Sequence, residues 1–150
     1  MHWHLNPYSV ALIVTTIISG IVGMYVWQRR PKLGSIPVAL FMVSAMIWSL
    51  AYALEIAFIE QSTNIFWAKM QYFSIVSAPM LLLIIVLEYT RREEWLTRRN
   101  IIILSIIPTI TLMLTWTNEI HGLIWKDWIL TEIDSLVLLS LDHGWFFWVH

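Results

Sequence analysis

Glu55 and Lys69 are charged residues set inside otherwise apolar runs of this sequence. Between them lies the polar turn Glu60-Gln61-Ser62-Thr63-Asn64, and each charge is seven residues from Ser62. In an antiparallel helical hairpin, equal distance from the turn means equal depth, so carboxylate and ammonium can pair if both face inward. An unpaired charge at membrane depth costs about 2.5 kcal/mol or more, so such groups pair or line a cavity. Three readings are open: a clamp across the hairpin, a lysine that snorkels to the headgroups, and a site that senses a ligand or ion.

All five histidines (His2, His4, His121, His143 and His150) fall on the same predicted side of the membrane. Imidazole binds zinc or copper and titrates near neutral pH. No spacing here matches a helical His-x-x-x-His or a finger pattern, so hydrogen bonding and capping is the expected role. Thr117-Asn118-Glu119-Ile120-His121 and Asp142-His143-Gly144 have the polar character of helix caps and turns. Glu88, three and four residues before Arg91 and Arg92, is spaced for local ion pairs, but a solvated helix end is the expected role. There is no Gly-rich phosphate loop, no G-x-S-x-G elbow and no H-E-x-x-H. Without cysteine, disulfides and thiolate metal sites are excluded. No enzyme site, metal, cofactor or nucleic-acid partner is expected within these residues.

The elements that carry these residues are apolar runs. Of the 150 residues 59% are hydrophobic and 13% charged, with mean hydropathy +0.71, against about 25% charged in a soluble domain. Runs at about 8–27, 38–59, 65–89 and 101–116 predict four transmembrane helices, since about twenty residues cross roughly 30 Å of hydrocarbon. Residues 117–144 carry too many charges to cross and form a loop, with Val137-Leu138-Leu139 as a strand or a strip on the helix ends. From about 145 an apolar-aromatic run resumes, read as the start of a fifth crossing, so the sequence is expected to be an N-terminal fragment. Nine of the ten tryptophans, Trp125 included, lie at or near run ends, the interfacial position. The first run is followed, not preceded, by positive charge, which marks a retained helix and not a signal peptide. Arg29, Arg30, Lys32, Arg91, Arg92, Arg98 and Arg99 fall in the first and third connections. That bias puts those connections in the cytoplasm, and the N-terminus and loop 117–144 outside. The fold class is therefore all-α, a polytopic helical membrane bundle with its N-terminus outside.

Several segments in order carry a resemblance. They are Trp48-Ser49-Leu50-Ala51-Tyr52-Ala53-Leu54-Glu55, Phe66-Trp67-Ala68-Lys69-Met70-Gln71-Tyr72, Ala78-Pro79 and Leu87-Glu88-Tyr89-Thr90-Arg91-Arg92. Pro108, Thr117-Asn118-Glu119-Ile120-His121, Leu123-Ile124-Trp125 and His143-Gly144-Trp145-Phe146-Phe147-Trp148-Val149-His150 follow. From about Pro37 to His150 the chain resembles the N-terminal seven-helix region of membrane sensor histidine kinases, a region also found ahead of PAS modules and diguanylate cyclase domains. The resemblance implies that Phe146-Phe147-Trp148-Val149-His150 opens the fifth helix, with two more helices and a cytoplasmic output domain to follow. It implies a multi-pass protein of the cell membrane and a homodimer. It places Glu55, Lys69, Asn118, His121 and His150 in the outer half of the bundle, where an unknown external ligand would be read.

The functional expectation is a sensory input module in the lipid bilayer that passes an extracellular or membrane signal to a cytoplasmic signalling domain. The Glu55–Lys69 pair is the expected bistable element, and Glu55→Gln is expected to alter signalling without blocking insertion. A transporter or channel subunit would be expected to show discontinuous helices and paired polar residues at the bilayer midplane, whereas Val43–Trp48, Val76–Leu83 and Ser105–Leu112 carry no charge. A membrane anchor without sensing is the remaining alternative.

Overall fold

The computed structural model describes residues 7–29, 34–58, 60–133 and 136–149, without the side chains of 130–133, 136–141 and 149. Four long helices follow one another: α1 (Pro7–Gln28), α2 (Ser35–Ala57), α3 (Gln61–Tyr89) and α4 (Arg98–Trp116). All four are long and apolar enough to cross a membrane. Isoleucine, valine and methionine side chains point outward along α1 (Ile13, Ile17, Ile21, Met24) and α4 (Ile102, Ile103, Ile106, Met113). An apolar surface of that extent is at home only in lipid. The chain is a multi-pass membrane protein, an all-α polytopic bundle.

Helix ends lie outside the apolar runs because polar residues there cost little: the first four N–H groups of a helix have no internal partner. Thus α2 begins at Ser35, with Pro37 in its first turn, where a missing N–H is harmless. Gln61–Asn64, polar in sequence, form the first turn of α3 and not a loop. Thr97 caps α4, its hydroxyl accepting from Asn100 N at 3.3 Å. At its other end α3 closes with Arg92 N donating to Leu87 O and Arg91 N to Glu88 O, while Arg91 takes φ 55°. This crossed pair of hydrogen bonds around one left-handed residue satisfies the last carbonyls. It also turns the chain off the helical path, so Glu88 forms no ion pair with Arg91 or Arg92 among the described residues.

Neighbouring helices are antiparallel. Between α1 and α2 the approach is close: a Cβ on Gly23 would lie 3.2 Å from Met42 Cβ and 3.7 Å from Ala39 O. Small residues of this kind let backbones meet where no hydrophobic force draws helices together. Between α2 and α3, Ser74 Oγ donates to Ser44 O at 2.7 Å, and the Ser44 and Ser77 hydroxyls lie 3.0 Å apart. Hydroxyls on α4 are satisfied within the helix, Thr111 to Ile107 O and Thr115 to Thr111 O.

Beyond α4 come the single turn α5 (Asn118–His121), strands β1 (Trp125–Ile133) and β2 (Leu136–His143), and a 3₁₀ segment, Trp145–Val149. The strands form an antiparallel hairpin, Trp128 opposite Leu141 and Leu130 opposite Leu139. Val137-Leu138-Leu139 lies in β2. The expected opening of a fifth helix takes 3₁₀ geometry over its described residues. We call the end of the bundle with the α2–α3 turn and this hairpin the hairpin end. The other, carrying Arg29, Arg91, Arg92, Arg98 and Arg99, is the arginine end.

Candidate functional site at the hairpin end

Helix α3 is the hub of the hairpin end, and its three faces hold two polar ties and one apolar cluster. Successive residues of a helix are about 100° apart, so residues two apart point to nearly opposite sides. Gln71 therefore faces α2 and Lys69 faces α4. Gln71 Nε2 donates to Glu55 Oε2, and Lys69 Nζ donates to Glu119 Oε1 and, at 3.4 Å, to Trp116 O. The expected Glu55–Lys69 pair is thus replaced by two separate ties. Distance from a turn sets depth along a helix but not direction around it, and direction separates these two residues. Side chains also slant toward the N-terminus of their own helix. On antiparallel α2 and α3 that slant carries Glu55 inward and Gln71 toward the hairpin end, so they meet across a difference in depth.

The Lys69–Glu119 pair joins a buried cation to a half-exposed anion, with side-chain exposures of 8% and 51%. Lys69 also lies 6.0 Å from the Trp116 ring centroid, and that ring meets Phe66 and Phe73 of α3 edge-on. The hydrogen bond from Lys69, more than any other influence, holds the Glu119 carboxyl below its ordinary value of 4.5. The rule of equal depth could have found this pair. Lys69 and Glu119 are each twenty-five residues from Glu94, the centre of the 3₁₀ turn between α3 and α4.

The third face, Ala68, Tyr72 and Val76, is covered by Ile124 and Trp125. The Trp125 indole, 1% exposed, stands edge-on to Tyr72 with centroids 5.2 Å apart. Trp125 is therefore a core residue, not the interfacial one its sequence position suggests. Asn118 holds it there: its Oδ1 accepts from Ile124 N (3.0 Å) and Trp125 N (3.1 Å), and its Nδ2 donates to Trp125 O (2.8 Å). An irregularity between Trp125 and Asp127 then releases the chain into the hairpin. Gly144 N donates to Ile124 O at 2.7 Å, and a Cβ on Gly144 would lie 2.1 Å from Leu123 O. Only glycine fits there.

His121 is on the same turn as Asn118. Its Nδ1 accepts from Leu123 N at 3.1 Å, and its Nε2 lies 3.0 Å from Thr117 Oγ1. The structure thus brings Lys69, Asn118 and His121 to one junction and sets Glu55 on the opposite side of α3. His150, like His2 and His4, lies outside the described residues. Residues that sequence reasoning passed over are Gln71, Glu119, Trp125 and Asn64. Asn64 is fully buried in the first turn of α3, and neither of its amide atoms has a partner among the described residues; the same holds for Trp125 Nε1. Beside the Trp125 plug lies a half-open cavity of about 420 Å³ between Tyr72, Pro79, Thr111, Ile124, Phe147 and Trp148. Small-molecule sites begin at roughly 300 Å³. Among the described residues no three His, Asp or Glu side chains cluster as metal ligands would.

Compared with known proteins, residues 11–150 match the family described as the N-terminal 7TM region of histidine kinase. No curated protein and no solved structure matches the chain. The matched region is the non-catalytic membrane part of such kinases, which agrees with a bundle of apolar helices that supports a membrane sensory input module. The chain belongs to the family of N-terminal seven-transmembrane regions of histidine kinases.

Proposed function

We propose that this chain is the input module of a signalling protein of the cell membrane, with the hairpin end outside and the arginine end in the cytoplasm. The arginine bias supports that orientation. A cytoplasmic output domain, most simply a histidine kinase, receives the signal, and the homodimer of two-component sensors is the proposed assembly. The observation that carries the reading is the Lys69–Glu119 tie between α3 and the turn that follows α4. A ligand, ion or membrane change that favours its broken or closed state would shift α4 against α3. Packed helices transmit such shifts as small displacements between discrete arrangements. The external ligand is proposed to act at this junction, where the half-open cavity offers it room.

The test is autophosphorylation of the parent protein in membrane vesicles, comparing wild type with Glu119→Gln and Lys69→Met. Both variants should insert normally and shift the balance between kinase-on and kinase-off states. Unchanged output and unchanged signal response in both would overturn the clamp as the transmitting element.

A further inference from the structure

Backbone N–H groups of residues 123–125 hold the loop against the bundle, and each is taken by a side chain. Asn118 accepts two of them, from Ile124 and Trp125, and cannot change its protonation. The third, Leu123 N–H, is accepted by His121 Nδ1. Because a backbone N–H can only donate, Nδ1 must carry a lone pair. The proton of the neutral ring is then on Nε2, which donates to Thr117 Oγ1. The Thr117 hydroxyl in turn donates to Met113 O at 2.8 Å, in the last turn of α4. The hydrogen-bond network thus selects one neutral tautomer. A proton added to Nδ1 would set one donor against another and remove the Leu123 bond. Leu123 also accepts from Phe146 N at 3.2 Å, so the 3₁₀ segment is attached through the same residue.

We propose that His121 is a proton-operated latch, so that external acid is a signal this module reads: neutral, it holds Leu123 closed beside the Asn118 clamp, and protonated it lets Leu123 open. The proposal rests on the reading of the hairpin end as the input face. The charged and titratable groups on the elements about this turn are Glu119 beside it and Lys69 of α3, paired with Glu119. From the hairpin come Lys126 and Asp127 on β1 and Asp142 and His143 on β2. Of these His143 is a second imidazole, so it needs its own control; its ring lies 3.8 Å from that of Phe147. Opening at His121 loosens the attachment of Trp125 to α3 from the side that Asn118 does not hold. It also offers Glu119 a second cation in place of Lys69.

The experiment uses the full chain in lipid nanodiscs at pH 8 and pH 5, read by ring-nitrogen NMR of His121 and by amide exchange of Leu123, corrected for the intrinsic pH dependence of exchange. Wild type should show an unprotonated Nδ1 at pH 8, and loss of one hydrogen bond should speed Leu123 exchange about tenfold at pH 5. His121→Asn keeps an acceptor two residues before Leu123 without a titratable group, so Leu123 should stay protected at both pH values. His121→Ala should exchange rapidly at both, and His143→Asn should leave the wild-type transition in place. Protection that does not change with pH, or a transition that survives in His121→Asn, would overturn the latch. These readouts do not involve kinase output, so failure here is distinct from failure of the clamp test.

Discussion

Two regions of the bundle, the α1–α2–α3 seam and the junction of α3 with α4 and the loop, are built from different chemistry. The seam uses small residues (Gly23, Ala39, Ser44, Ala51, Ala53, Ser74) that bring backbones together over long stretches. Away from the hairpin end, where Gln71 donates to Glu55, its hydrogen bonds run between serines and are short-armed and neutral. The junction is thin. Of the nineteen residues of α4, Thr111 and Thr115 are the buried ones, and besides Leu112 and Leu114 against the core its contacts include aromatic edges, a long charged reach and the Asn118 clamp. Closely packed interiors have one good arrangement, whereas a few long side chains allow two. The seam therefore supplies a fixed frame, and the junction is where the proposed input would be turned into movement.

The largest effect expected from breaking this contrast comes from Asn118→Ala. It leaves Ile124 N, Trp125 N and Trp125 O without partners in a region where both residues are at most 1% exposed. Each unsatisfied buried group costs about 1–3 kcal/mol, and opening of the loop to water limits the sum to about 3 kcal/mol. Hydrogen exchange should rise over 122–125 and 144–146 and stay unchanged along α1 and α2. Exchange that rises equally in the seam would show that the two regions are one cooperative unit.

A middle-sized effect tests the junction from both sides of one ion pair. Glu119→Gln removes the anion and leaves the buried ammonium of Lys69 with neutral acceptors, Trp116 O and the amide oxygen, at a cost of about 2 kcal/mol. Lys69→Met replaces that ammonium with an apolar chain of similar length and frees a half-exposed carboxylate, so it should stay within about 0.5 kcal/mol of wild type. Unfolding in mixed micelles should rank the two in that order; equal losses would mean that Lys69 is better solvated than its burial indicates. The pH dependence has a definite sign. Glu119 has its carboxyl held below 4.5 by Lys69, so its stabilising contribution is present above pH 4.5 and lost as pH falls through the lowered value. That window lies below the one in which imidazole ordinarily titrates, so the clamp and the His121 latch can be separated by pH alone.

The same contrast divides what could be read from the sequence. Four crossings follow from about twenty apolar residues each, because lipid requires every backbone group to be satisfied within its own helix. Depth was legible too, since residues at equal distance from a turn lie level. Direction around the helix was not: α3 is apolar on every side, so nothing in its pattern told that Lys69 faces α4 and Gln71 faces α2. Applied to the α3–α4 turn, the depth rule points to Glu119; applied to the α2–α3 turn alone, it points to Glu55. Trp125 was misleading for a related reason. Its place at a run end suits an interfacial indole, and what draws it into the core is a side chain seven residues earlier, Asn118. Asn118 and His121 stood out as polar residues near a helix end, but their partners are backbone groups, which no sequence pattern labels.

The smallest effect tests the seam itself, through Ser74→Ala. Ser74 is 3% exposed, and its hydroxyl donates across the helix pair to Ser44 O. Alanine keeps the small volume that lets α2 and α3 approach, so the change isolates one interhelical hydrogen bond. In membranes such bonds average about 0.6 kcal/mol, because the separated helices find other partners for the same groups. The carbonyl of Ser44 keeps its own helical hydrogen bond, so no buried group is stranded, unlike at Asn118. Unfolding in mixed micelles should therefore register a loss of about 0.6 kcal/mol, with exchange at 122–125 unaffected. A loss several times larger would mean that the seam depends on its serines as the junction depends on Asn118 and Glu119. The frame would then be no stiffer than the part proposed to move.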